Sequence, residues 1–278
     1  MVKLNKYGYY ELTNMPSEEE LNYYYSTYYQ DNKSASYKQE YTQLEKDFFK
    51  AKLQQKHMLC GSFTSFLDVG CGEGFALKYF HDKGYTVKGI DYSDAGLLKH
   101  NPDMKGFIDI GNIFDILEHM TEKFDIVNLD NVLEHVREPR KLLEKCIEVC
   151  SKKIIIKVPN DFSYFQRYVM GIRKVEKNYW VVTPDHINYF NKDGLINLCK
   201  AVGLEKEFIL GNYLTEFYAL HKDTNYLETP SLGRECHFAR CHEEVLFNKI
   251  GIKETIELYK VYGKMGLGRE IIGGFTKC

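Results

Sequence analysis

The chain has 278 residues, of which 44% are hydrophobic and 27% charged, and a formal net charge of −2. That length holds one ordinary domain with extensions, and that apolar share supports a packed core. The balanced charge argues against nonspecific nucleic-acid binding as the main activity, and no uninterrupted apolar run reaches membrane length.

Residues 1–58 are polar and strongly aromatic, without the apolar stretch of a signal peptide, and a cytoplasmic protein is expected. The 8 cysteines are scattered rather than patterned, which suits reduced thiols. Ser17 with Glu20 reads as a capping box opening a helix. A second helix is predicted from Tyr37 to about Gln55, with Tyr41, Leu44, Phe48 and Leu53 at helical spacing. This segment is expected to form a helical cap over a sheet edge, with Tyr37 and Tyr41 as candidates for ligand contact.

From Phe63 the pattern alternates. Strands are predicted near 63–69, 85–90, 106–109, 124–129 and 152–158, with helices near 74–83, 94–100, 112–119 and 131–150 between them. Such alternation means a parallel sheet covered on both faces, with ligands at its carboxyl edge. A long connection over 160–185 reads as an inserted lid, followed by a helix near 192–202. Two stretches, 206–210 and 215–222, read as the last two strands, paired antiparallel across Gly211-Asn212. The expected fold is an α/β, Rossmann-like, doubly wound, mostly parallel seven-stranded sheet with an antiparallel last strand. Residues 59–222 would form its core and 223–278 a C-terminal helical extension, amphipathic over 243–262, that docks on the domain or on a second subunit as a homodimer.

The motif that organises the chain is Phe63 to Phe75, FTSFLDVGCGEGF. Glycine at 70, 72 and 74 lets the backbone turn tightly from strand to helix and lets a ligand lie against the main chain. Asp91 closes the next strand, where a carboxylate can take both hydroxyls of a ribose. A dinucleotide fingerprint would need its third glycine at position 75, which is Phe75. What remains, Asp68-Val69-Gly70-Cys71-Gly72-Glu73-Gly74, resembles the first motif of the class I S-adenosylmethionine (SAM) methyltransferases. Further on, FDIV at 124–127, LEHV at 133–136, Val158-Pro159-Asn160 and Asp185-His186-Ile187-Asn188-Tyr189-Phe190 are similar to the branch containing the quinone-biosynthesis O-methyltransferases and enzymes that tailor sugars and natural products. The match spans roughly residues 60 to 220.

The resemblance implies SAM as cofactor and S-adenosylhomocysteine (SAH) as product. It implies that Gly70, Cys71, Gly72 and Gly74 run beneath the methionine part, that Asp68 holds its ammonium, and that Asp91 and Tyr92 hold the ribose. Asn112 and Ile113 would lie beside the adenine, and Leu129 and Asp130 would face the methyl donor. His135, with Glu134 beside it, and His186 are candidate bases for a hydroxyl acceptor. Some members of the branch hold a divalent metal with the Glu-His pair and an acid three residues earlier; that position is Asn131 here, so no metal is expected.

Arg167, Arg173, Lys174 and Trp180 in the lid, together with Tyr41, are candidate contacts to a flat, anionic small-molecule acceptor such as a nucleotide sugar or another phosphorylated precursor of a surface polysaccharide. Neither a membrane nor a nucleic acid is expected as partner. N-methylation of an amine and SAM binding without methyl transfer remain as alternatives. Cys236-His237-Phe238-Ala239-Arg240-Cys241-His242 looks metal-like, but ligands packed so tightly on one helix cannot all converge on a tetrahedral ion.

Overall fold

The computed structural model describes residues 1–21, 23–24 and 40–278. Tyr37 therefore lies outside the described residues. Near the N-terminus, Ser17 and Glu20 form the reciprocal capping bonds expected of them, Ser17 N–H to Glu20 Oε2 at 2.7 Å and Glu20 N–H to Ser17 Oγ at 3.1 Å. A second capping box, Thr42 with Glu45, opens helix α1 at Gln43–Cys60.

The body is a seven-stranded sheet. Strands β3 (Ser65–Val69), β4 (Thr86–Asp91), β5 (Ile108–Ile110), β6 (Phe124–Asp130) and β7 (Cys150–Pro159) run parallel to one another. Across the sheet the order is β5-β4-β3-β6-β7-β10-β9, where β9 is Leu204–Gly211 and β10 is Glu270–Lys277. The crossovers carry helices α2 (Phe75–His81), α3 (Ala95–His100), α4 (Ile113–His119) and α5 (Pro139–Val149). Strands such as Ile154-Ile155-Ile156 are apolar on both sides because both faces are covered, and all three side chains are fully buried. A small antiparallel sheet joins β1 (Val2–Leu4), β2 (Tyr10–Leu12) and β8 (Asn188–Tyr189), tying the N-terminus to the segment that returns from the lid.

Two expectations are corrected here. Residues 215–222 are not a strand: Glu216–Leu220 is the short helix α8. The remaining strand comes instead from the end of the chain, β10, which pairs antiparallel with both β7 and β9. The region 223–278 thus contributes to the sheet itself as well as helices α9 (Gly233–Ile250) and α10 (Ile252–Met265). The lid contains helix α6 (Tyr164–Arg173), and helix α7 (Lys192–Ala201) precedes β9.

Candidate active site

The carboxyl ends of β3, β4 and β6 open into a cavity of about 490 Å³, within the range of small-molecule sites. Its floor is the turn after β3. Gly70, Gly72 and Gly74 all have positive φ, at 74°, 52° and 74°. The last of them is the N-cap of α2. A Cβ at Gly70 would lie 2.6 Å from Val132 Cγ2, so the turn is pressed against the loop following β6. Asp91 fixes its other side, accepting from Gly72 N–H at 2.8 Å and from Ser93 N–H at 3.2 Å. Tyr92, Asn112 and Ile113 line the cavity beyond Asp91. Asn112 also caps α4 by accepting from Phe114 N–H at 2.9 Å, and Cys71 lines the floor with its thiol buried.

A chain of polar groups runs beneath the turn. Asp68 Oδ1 accepts from Asn128 Nδ2 at 2.6 Å, Asn128 Oδ1 accepts from Lys56 Nζ at 2.7 Å, and Lys56 Nζ donates to Asp130 Oδ2 at 2.5 Å. Burial pushes Asp68 up to about 7, with Lys56 opposing the rise. For Asp130 burial acts in the same direction, but Lys157 and Lys56 overcome it and bring the carboxyl down to about 2. The network continues through Lys157, 3.7 Å from Asp130 and 4.0 Å from Glu270, to Lys52, 2.9 Å from Glu270. Lys52, Lys56 and Lys157 all line the cavity. The sequence reading did not single them out. The signal for the first two is a shared face of α1, since Lys52 and Lys56 lie four residues apart and follow Phe48 and Phe49 onto the cavity wall, whereas Lys157 comes from β7.

The loop after β6 carries Glu134 and His135, and the segment following the 160–185 connection carries His186. The two imidazoles pack edge to face with centroids 4.9 Å apart. His135 Nδ1 lies 2.7 Å from the Asp185 carbonyl and 3.7 Å from its carboxylate, while His186 Nε2 lies 3.8 Å from that carboxylate. Burial lowers both histidines, His135 against the pull of Asp185 and His186 to about 3, so both are neutral at pH 7. Glu134 is fully buried and strongly raised by burial. The three candidate catalytic residues thus come together, and His135 also lines the cavity.

Other candidates fall elsewhere. Leu129 is fully buried in the apolar core; alternation along β6 turns Asn128 and Asp130 to the network and Leu129 to the opposite face. Trp180 packs edge-on against Phe162 and Tyr179 and is 2% exposed, in an apolar cluster shared with Leu12 and Leu21 of the N-terminal segment and with Ile187 and Tyr189. Arg173 donates from Nε to the Ala219 carbonyl at 2.7 Å and from Nη2 to the Leu220 carbonyl at 2.6 Å, neutralising the end of α8. Lys174 is the exposed left-handed cap of α6, and Arg167 is exposed on the same helix. Neither side chain lines the cavity. Tyr41 donates its hydroxyl to Glu73 at 2.7 Å, which places it at the glycine turn rather than beside the histidines.

Comparison with known proteins agrees with the fold. The family described as a methyltransferase domain matches residues 33–207. The chain is 26% identical over 174 residues to a ubiquinone biosynthesis O-methyltransferase of Pseudomonas entomophila (strain L48), covering 58% of this chain and 75% of that protein. A protein of the same description from Nitrosomonas europaea is 24% identical over 180 residues, covering 58% and 74%. Among solved structures, a SAM-dependent methyltransferase from Archaeoglobus fulgidus superposes with a TM-score of 0.54 at 18% identity, covering 82% of this chain and 92% of that one. The [4+2]-cyclase SpnF superposes with a TM-score of 0.54 at 13% identity, covering 95% and 98%.

Proposed function

Since the chain belongs to the class I SAM-dependent methyltransferases, we propose that it methylates a hydroxyl oxygen of a small acceptor held between the glycine turn and the Glu134–His135–His186 cluster. The observation that carries this reading is that one cavity is lined both by the glycine turn with Asp68 and Asp91 and by His135. A bound sulfonium supplies an electrophilic methyl group with a good leaving group. The residues of this chain have two remaining tasks, alignment and removal of the acceptor proton. Asp91 holds the ribose hydroxyls, Asp68 faces the ammonium, and Asn112 with Tyr92 flanks the adenosine. The acceptor oxygen lies at the histidine cluster, where the hydroxyl proton is lost.

Arg173 and Lys174 have structural places, and the cavity lysines Lys52 and Lys157 are matched by the carboxylates of Glu270 and Asp130, so they do not by themselves select an anionic acceptor. O-methylation also agrees with the relatives named for ubiquinone biosynthesis. A nucleotide sugar or another phosphorylated hydroxyl compound stands beside neutral hydroxyl compounds as a candidate acceptor.

The test is an SAH-release assay with panels of anionic hydroxyl compounds, neutral hydroxyl compounds and amines. Release with a hydroxyl panel, anionic or neutral, is the expected result, and release with amines alone overturns it. Asp91→Ala should abolish SAM binding by calorimetry. His135→Ala should lower kcat by ~100-fold or more while leaving SAM affinity within a few-fold.

A further inference from the structure

An ammonium group has N–H donors and no lone pair, so a side-chain amide that faces one must present its oxygen. Lys56 Nζ lies 2.7 Å from Asn128 Oδ1, and this contact turns Asn128 Nδ2 the other way, to Asp68 Oδ1 at 2.6 Å. A fixed N–H donor favours the ionised carboxyl, whereas a free amide can turn its oxygen to a protonated one. Lys56, Asn128 and Asp68 are all more than nine-tenths buried, so solvent does little to weaken these contacts. The other side of the Lys56 ammonium is held by Asp130 Oδ2 at 2.5 Å. Lys56 stands one turn before the end of α1 at Cys60, so a helix outside the sheet reaches the polar group beneath the glycine turn.

We propose that Lys56 is a positioning residue for the cofactor: it fixes the Asn128 amide with its N–H toward Asp68, which is thereby ready to accept from the cofactor's ammonium. Asp130 serves the same relay by anchoring Lys56. The assignment rests on the reading that Asp68 faces that ammonium, and it concerns how the carboxyl is prepared for it. The charged groups around Asp68 are Lys56 from α1, Asp130 from β6 and Asp91 from β4, with the buried Cys71 thiol on the turn. Burial and the two carboxylates work against ionisation of Asp68, and Lys56 and the Asn128 amide oppose them. Lys157 stands one step further off, 3.7 Å from Asp130. Loss of Lys56 removes the nearest cation and frees the amide, and both changes favour the protonated carboxyl.

The experiment follows the Asp68 carboxyl by carbon-13 NMR titration of the ligand-free full-length protein, the signal being identified by its loss in Asp68→Asn. In the unsubstituted protein the midpoint is expected at about 7. Lys56→Met should raise it by ~1 unit, whereas Lys56→Arg, which keeps a cation and N–H donors, should hold it within ~0.5 unit. Asn128→Leu should raise it too, and Lys56→Met added to that variant should move it less than in the native background, because the two residues act in series. SAH affinity in Lys56→Met should fall ~5-fold at pH 7 and recover above the new midpoint, while a merely structural defect weakens binding alike at every pH. An unmoved midpoint in Lys56→Met or in Asn128→Leu, or shifts that simply add in the double variant, would overturn the relay. Asn128→Leu leaves the Lys56–Asp130 pair in place, so it decides the matter even if Lys56→Met does not fold. No ligand is present in the titration, so its outcome is separate from the ammonium reading, which fails if the midpoints move as expected and SAH affinity does not follow them.

Discussion

Asp68 shows how a single buried carboxyl couples proton and ligand. Burial raises it to about 7, so between the unfolded value of ~3.9 and that pH the folded chain keeps a proton that the unfolded chain has lost. The group therefore costs stability as pH rises through this window. A ligand ammonium beside it reverses the balance by favouring the ionised form. SAH affinity should then strengthen ~10-fold between pH 6 and pH 8, and Asp68→Asn should flatten the dependence. A pH-independent dissociation constant for the unsubstituted protein would remove the ammonium from Asp68. Asp130 has the opposite sign. The stabilisation from its depressed pKa is full above ~3.9 and is lost as the pH falls toward about 2. Lys56→Met leaves Asp130 with Lys157 alone at 3.7 Å and should cost about 2 kcal/mol in urea denaturation. Asp68 was legible in the sequence because it stands two residues before the glycine turn, and Asp91 because it ends the following strand. Lys56 was not, because its role depends on a helix packing across the sheet.

At the level of elements, the glycine turn and helix α8 show why some local readings hold and others fail. The turn needs left-handed backbone at three alternate positions, a demand that glycine meets and that the sequence displays openly. Gly70→Ala would add both an unfavourable φ of 74° and a methyl 2.6 Å from Val132 Cγ2. It should cost ~2 kcal/mol of stability and at least 10-fold in SAH affinity, and near-normal binding would show that the turn can shift. The stretch 215–222, with Phe217 and Tyr218, has the residue types of a strand, yet it coils. What settles it is distant in sequence, the Arg173 guanidinium bound to the carbonyls at the end of α8. Arg173→Ala should lower stability by about 1.5 kcal/mol, whereas substitution at the exposed Lys174 should move it little. Equal effects on the acceptor KM with no loss of stability would instead return both residues to acceptor binding.

On the scale of the whole molecule, the chain's end lies inside its own sheet. Strand β10 pairs with β7 from Glu270↔Pro159 to Phe275↔Ile154 and with β9 along its other edge. Its sequence hides this. Gly273 and Gly274 weaken the strand pattern, and they are needed because a Cβ at Gly274 would meet the Phe208 ring at 2.2 Å. The aromatic rings of Phe208 and Phe275 occupy the space that side chains would otherwise fill, a relation visible only once both strands are paired. Glu270, the first residue of β10, also holds Lys52 at 2.9 Å, so the same strand completes one wall of the cavity. A chain cut after Leu267 would lose a strand from within the sheet, strip β9 of its partner and leave Lys52 without its carboxylate. Such a truncation should fail to unfold cooperatively and should not bind SAH by calorimetry, because the exposed ladder groups of β7 and β9 lose their partners. If the truncated chain instead melts in one transition and binds SAH normally, residues 270–277 are an ornament of the sheet, and 223–278 is the docked helical extension expected from the sequence.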